Sequence, residues 1–560
     1  MALQPAEIAV IRSQLEQIAD EMDSVLVRTA FSPIISEAND RAHGIFDSDG
    51  NTIVQGAGGM PIFIGSMEFA VKTLKNRGAV AGTTYVLNDP YLVGTHLQDV
   101  KLIRLLADEA GQPMLYLGST AHWMDLGGTT PGGWTPDAKD IYQEGIRLPP
   151  LPVASEGQIL PHTLELLRAN TRVPDDIEGD LRAQLAALDV GEQRLRDLIR
   201  RVGRQRILDI VAEINLRSQK LMESILEELA PGVYTARDYL DNDGVTDAEL
   251  EIRATLTVGG GRIEFDFAGS SPPCVGPLNL ALPTTVSACY AAIKHAFPSV
   301  PINAGAFKQV AIHAPDTTFV NAPPPRPVGG YTEAAQRVID VVLEVLRQAG
   351  AAHLGAGNFS TSSAITLSGR AESGRFYVAL FNISGGYGGT LEHDGLCGAN
   401  PPMGHAQMVP IEVYETRFPV LFEWYRLREG SAGAGKHRGG LGTEYGFRLD
   451  AQQAYLSLMG DRSKHPPHGV ECGYPSPTGT EFLVVRDGVE HRPPLRTKVS
   501  RWELRRGDLI VLKSPGGGGF GDPRQRASEA VARDLCLGYV DERQAREIYG
   551  SGPAGSDTER

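Results

Sequence analysis

At 560 residues the chain exceeds the length at which a single hydrophobic core stops growing, so two or more domains are expected. A net charge of −15 has the wrong sign for nucleic acid or an anionic membrane as the main partner. Five cysteines without C-x-x-C spacing exclude a zinc ribbon and suit a reducing cytoplasm, and no run nears the roughly eighteen apolar residues of a membrane span.

Apolar residues Ile8, Ile11, Leu15, Ile18, Met22, Val25 and Leu26 recur at three- and four-residue steps, which predicts an amphipathic helix over 5–30. A loop carrying Asp40 follows, then a hairpin turning at Asp49-Gly50. On spacing alone, Asp40 is an ordinary turn aspartate. Residues 60–76 read as a glycine-rich turn and a helix.

The stretch NDPYLVGTHLQD at 88–99 departs most from a generic globular pattern. Asn88-Asp89-Pro90 breaks regular structure, and the loop then presents His96 and Asp99 in H-x-x-D spacing. Two short apolar strands follow, at 100–106 and 114–118, and the second leads into another H-x-x-D, His122 and Asp125. An isolated H-x-x-D is usually a hydrogen-bonded surface pair. Two copies on adjacent strands can meet on one rim of a sheet, where imidazole and carboxylate converge on a divalent cation. The glycine- and proline-rich segment 127–152 is too long for a simple turn and is expected to lie over that rim.

Between 162 and 229, leucine and isoleucine keep helical spacing with Arg and Glu between them, predicting a helical subdomain or arm. A β-meander is expected over 232–267, helices at 283–297 and 332–348, and strands at 376–381, 418–427 and 455–459. Two glycine-rich runs stand out. Residues 385–405 either bring backbone N–H groups to a ligand or form a structural loop, while SPGGGGFGDP at 514–523 lacks the Lys-Ser/Thr ending of a phosphate loop. A C-terminal helix pair follows. The expected fold class is α+β: several mixed β-sheets with packed helices, a helical arm in the middle and many Gly/Pro-rich loops. The divisions are 1–160 around the H-x-x-D motifs, 161–230 helical, 231–510 a central α/β core, and 511–560 the last glycine loop and helix pair.

The order of motifs resembles the hydantoinase B family, which includes the B subunits of hydantoinase and caprolactamase, the C-terminal half of 5-oxoprolinase and a subunit of acetone-type carboxylases. The resemblance rests on RTAFSP at 28–33, NDPY at 88–91, GTHLQD at 94–99, AHWMDLGG at 121–128, FDFAGS at 265–270, GPLN at 276–279, GGYG at 385–388, HRGGLG at 437–442 and SPGGGGFGDP at 514–523. It implies a divalent transition metal (Zn, Mn or Fe) held by His96, Asp99 and His122, with Asp40 as a fourth ligand. Asp125 and Asp89 are then natural partners behind the histidines, fixing their tautomers or serving as base. Against the family pattern, Val93 stands for a glycine, Gln98 for a proline and Trp123-Met124 for His-Ala, all beside proposed ligands. The implied activity is hydrolysis of a cyclic amide such as a hydantoin, lactam or oxoproline. An A-type partner subunit would use ATP and Mg to phosphorylate the ring amide, in an (αβ)2 heterotetramer. The alternatives are a subunit of an ATP-dependent ketone carboxylase, or a scaffold with a structural metal.

Overall fold

The protein is described from a computed structural model covering residues 3–108, 110–404 and 408–550. His405, at the end of the first glycine-rich run, lies outside the described residues. The fold is α+β, built from four open sheets and the helices packed on them.

Helix α1 (Pro5–Thr29) starts on a proline at its first turn and buries Ile8, Ile11, Leu15, Ile18, Met22 and Leu26, the stripe its sequence period dictates. After the short α2 (Pro33–Ser36), strands β1 (Arg41–Asp47) and β2 (Thr52–Gln55) form the expected hairpin. Next come α3 (Phe63–Asn76), β3 (Thr83–Leu87), α4 (Pro90–Val93), β4 (Asp99–Ala107) and β5 (Pro113–His122). With β6 (Leu151–Ser155) and β7 (Gln158–Ile159), these strands make an antiparallel sheet in the order β2-β1-β5-β4-β3-β6-β7.

The middle of this sheet is covered on both faces, so β4 is buried along its whole length, Lys101 and Arg104 included. Gly118 and Ser119 are neighbours on β5 and point to opposite faces. A Cβ on Gly118 would press on Met67 of α3, whereas Ser119 accepts a hydrogen bond from Gln184 of the helix Pro174–Val202. The segment expected as a helical arm is α5 (Pro161–Ala169), α6 (Pro174–Val202) and α7 (Arg204–Glu227). Its apolar face is laid along α1 and this first sheet. Buried Trp123 donates to Gln184 at 2.8 Å, and Asp180 accepts from the Phe31 and Ser32 amides.

The meander Gly232–Leu240, Leu250–Gly259 and Arg262–Asp266 forms the second sheet, with Val310–His313 added parallel at its edge. The helix Tyr331–Gln348 packs on it and is buried continuously from Tyr331 to Val342. Its buried charged residues are paired: Arg337 with Asp340, and Glu333 with Thr361 and the Ser362 and Ser363 amides. Two further sheets complete the chain, one built on Ala364–Arg370 and Phe376–Phe381 and the other on Val420–Leu427 and Thr443–Leu449. Apolar side chains from Ile8 to Leu512 form one contiguous buried cluster.

The glycine-rich runs have a packing explanation. Segments from 385–389, 433–442 and 514–521 lie backbone against backbone, with Gly517 N donating to Gly440 O (2.9 Å), Gly518 N to Gly357 O (2.9 Å), Gly519 N to Tyr474 O (2.8 Å) and Gly389 N to Gly518 O (2.9 Å). A Cβ on Gly517 would overlap the Tyr387 carbonyl, and one on Gly518 the His468 carbonyl. Only glycine lets the chains approach this closely. Of the two readings for 385–405, the structural one describes its glycines. Among the described residues, no helix is long and apolar enough to cross a membrane.

Candidate metal centre

The site forms where the first sheet meets the start of the Tyr331–Gln348 helix. Asp99 opens β4 and His122 closes β5, and the two residues are direct partners in the antiparallel register. Such pairing brings side chains on one face to within about 5 Å at Cβ. His96 arrives from the loop after α4. Gly94 (φ 78°) lets this loop pass close to Pro283, and Thr95 takes a positive φ of 62°, which is costly for a β-branched residue. Its amide donates to Thr284 Oγ1 at 2.8 Å, and buried Lys101 holds both Thr95 Oγ1 (3.2 Å) and the Asp99 carbonyl (3.1 Å). Asn39, immediately before Asp40, is also left-handed at φ 65°. Backbone strain thus precedes two of the four candidate ligands, a pattern that clusters at functional sites.

Three donor atoms converge. His96 Nε2 lies 3.3 Å from His122 Nδ1 and 3.3 Å from Asp99 Oδ1, and His122 Nδ1 lies 3.5 Å from Asp99 Oδ1. Asp40 Oδ2 is 3.6 Å from His122 Nδ1. Bonds of about 2.0–2.1 Å from nitrogen or oxygen to a tetrahedral zinc give ligand–ligand edges of roughly 3.3–3.4 Å. The observed triangle has those dimensions. Asp99 Oδ1 and Asp40 Oδ1 are buried without a hydrogen-bond partner, an arrangement disfavoured unless another group completes it. Two imidazoles and carboxylate oxygen suit zinc, manganese or iron(II), so this donor set fits a divalent transition metal.

Electrostatics agree with that use. Burial pushes Asp99 upward, but the adjoining His96 and His122 hold its carboxyl well below the usual range. Asp40 is pushed up to about 7, chiefly by desolvation, with Asp99 adding to the rise and His122 opposing it. Both carboxylates face His122, Asp99 at 3.5 Å and Asp40 at 3.6 Å. Tyr331 Oη donates to Asp99 Oδ2 at 3.1 Å, leaving Oδ1 to face the histidines, and its ring packs edge-on to His96.

The site opens into a narrow cavity of about 30 Å³, touched by Asp40, His96 and His122. Met60, Leu380, Ile383 and Met403 supply apolar wall, and Thr332 and Asn382 polar wall. Trp134, from the segment expected to cover the rim, closes another side with its ring edge-on to His96 at 5.4 Å between centroids. Glu144 of the same segment fastens it by accepting from Val328 N (3.1 Å) and Gly329 N (2.7 Å).

The other two sequence candidates do not reach the cavity. Asp125 is fully buried and committed elsewhere: Oδ1 accepts from Gly132 N and Arg172 Nη1, and Oδ2 from Arg172 N and Thr171 Oγ1. β5 has ended at His122, and the chain turns Asp125 toward the segment after α5. Asp89 caps α4 through the Tyr91 amide and sits 3.5 Å from Arg147. Each holds a loop that shapes the site, and the structure puts neither behind a histidine. Sequence reasoning did not single out Tyr331, Thr332, Trp134 or Lys101. The only local signals were an aromatic in a glycine-rich loop and a tyrosine after Gly329-Gly330.

The hydantoinase B/oxoprolinase family profile matches residues 4–523. The chain belongs to that family. It is 30% identical to the beta chain of the caprolactamase of Pseudomonas jessenii, over 98% of this chain and 96% of the relative. It is 28% identical to the B chain of a putative D-/L-hydantoinase of Pseudomonas sp. strain NS671, over 98% and 95%. The crystal structure of the ATP-dependent caprolactamase from Pseudomonas jessenii superimposes with a TM-score of 0.91 at 26% identity, covering 100% of this chain and 98% of that one.

Proposed function

We propose that this chain is the metal-bearing B-type component of an ATP-dependent cyclic-amide hydrolase. The convergence of His96, Asp99 and His122 beneath a walled cavity, in a hydantoinase B family member, carries this reading. Asp40, 3.6 Å from His122 Nδ1, is the proposed fourth ligand. When bound, a divalent ion contributes Lewis acidity, polarising an amide oxygen and lowering the pKa of water toward neutrality. The chain's own residues do the rest. Tyr331 fixes which Asp99 oxygen faces the histidines, Lys101 and Thr95 set the His96 loop, and Trp134 shields the site from bulk water.

Ring amides are poor electrophiles, and the glycine runs of this chain are filled by backbone packing. Activation is therefore assigned to an A-type partner that transfers the γ-phosphoryl group of ATP to the amide oxygen, in an (αβ)2 assembly. Relatives whose names mark them as one component of a multi-chain enzyme, and a similar structure named as ATP-dependent, support that division of labour.

The test is co-expression with an A-type partner, followed by metal analysis and ATP turnover with lactams, hydantoins, and ketones plus bicarbonate. The account predicts ATP-coupled ring opening that needs both chains. Turnover only with ketone and bicarbonate would make the chain part of a carboxylase. Full activity of a metal-free complex would make it a scaffold.

A further inference from the structure

The cavity above the candidate metal centre carries two buried polar groups without an internal partner, Trp134 Nε1–H and Thr332 Oγ1. Both residues are nearly fully buried, at 3% and 5% exposure. A buried polar group left unpaired is disfavoured, so two lining one cavity mark a surface completed by a ligand. Among the described lining residues there is no lysine or arginine. The nearby buried cations are committed: Lys101 to Thr95 and the Asp99 carbonyl, and Arg337 to Asp340 and the Ser360 carbonyl. A carboxylate on a ring held there would be buried with no lysine or arginine among the described lining residues to pair it.

We infer that this cavity selects an electrically neutral ring amide, hydrogen-bonded by Trp134 Nε1–H and Thr332 Oγ1, and rejects a ring that carries a carboxylate. The inference rests on the hydrolase reading above and narrows its substrate class. Trp134 offers a donor only, so its partner is a ring oxygen. Thr332 both donates and accepts, so it suits a ring N–H or a second carbonyl. Met60 and Met403, unbranched and adaptable, are the wall residues able to shift to admit a ring.

Three matched probes test this: 2-pyrrolidone, 5-oxoproline (the same ring with a carboxylate) and the neutral amide of 5-oxoproline. Each is titrated onto the metal-loaded full chain by ligand-observed NMR. Both neutral probes are expected to bind at least about tenfold tighter than 5-oxoproline. Trp134→Phe and Thr332→Val each weaken the neutral probes by about tenfold with metal content unchanged, and Asn382→Lys raises affinity for 5-oxoproline. The inference is overturned if 5-oxoproline binds as tightly as its amide, if both wall variants bind the neutral probes like wild type, or if no probe binds. If the probes bind in the expected order but the complex with its partner and ATP opens no ring, the hydrolase reading fails and the charge selection stands.

Discussion

Replacing Tyr331 with phenylalanine isolates the hydrogen bond that sets Asp99. The ring keeps its edge-on packing against His96, at 4.9 Å between centroids, and only the hydroxyl 3.1 Å from Asp99 Oδ2 is lost. Asp99 is fully buried, so no water replaces that donor from bulk. A hydrogen bond to a charged group contributes about 1.5–3 kcal/mol. With about 1.4 kcal/mol per tenfold in an equilibrium constant, the expected loss in metal affinity is roughly 10- to 150-fold. That range matches the cost generally found for groups that orient metal ligands. The assay is competition for the metal between the purified chain and a chromophoric chelator, alongside thermal unfolding of the metal-free proteins. A Tyr331→Phe affinity within about threefold of wild type would refute the reasoning.

Asp125→Asn breaks a buried ion pair whose partner, Arg172, is 30% exposed, so the lower end of the range for such pairs applies, about 3 kcal/mol. Unfolding should show that loss while the chain keeps its metal, and loss of metal would return Asp125 to the site. Burial pushes Glu144 from 4.5 up to about 8. Its folded pKa is raised, so its contribution is fully present below about pH 4.5 and is lost as pH rises through about 8. Urea denaturation at pH 6 and pH 9 should show Glu144→Gln losing less stability than wild type over that interval; an equal loss contradicts the assignment. Gly517→Ala forces a methyl into the Tyr387 carbonyl and should cost about 3 kcal/mol. Gly488→Ala, at φ 79° with open space around it, should cost about 1 kcal/mol from backbone strain alone.

The parts of the fold that depend on local period were legible. Alternating and continuous apolar runs placed β4 and β5 within a few residues of their ends, and the helix over 5–30 appears as α1. The antiparallel pairing of two adjacent strands is what sets Asp99 opposite His122, so the two halves of the motif pair could be anticipated together. Asp125 was misleading because its spacing copies Asp99, while its fate depends on Arg172, forty-seven residues away. Asp89 did carry a readable signal: an aspartate before a proline is a helix cap, and it caps α4. The glycine runs could not be resolved locally, since their reason lies in chains from 357, 387, 440 and 468 meeting in space. Tyr331 likewise reaches Asp99 across 232 residues, a contact no spacing rule reports.

The central claim is that His96, Asp99 and His122 hold a metal ion. Its most direct test is elemental analysis of the purified full chain, beside His96→Ala and His122→Ala variants shown to be folded by circular dichroism. The account predicts about one zinc, manganese or iron per chain, with loss of most of it in each variant. A folded wild-type chain that takes up none of these metals, or alanine variants that keep the full complement, would contradict it.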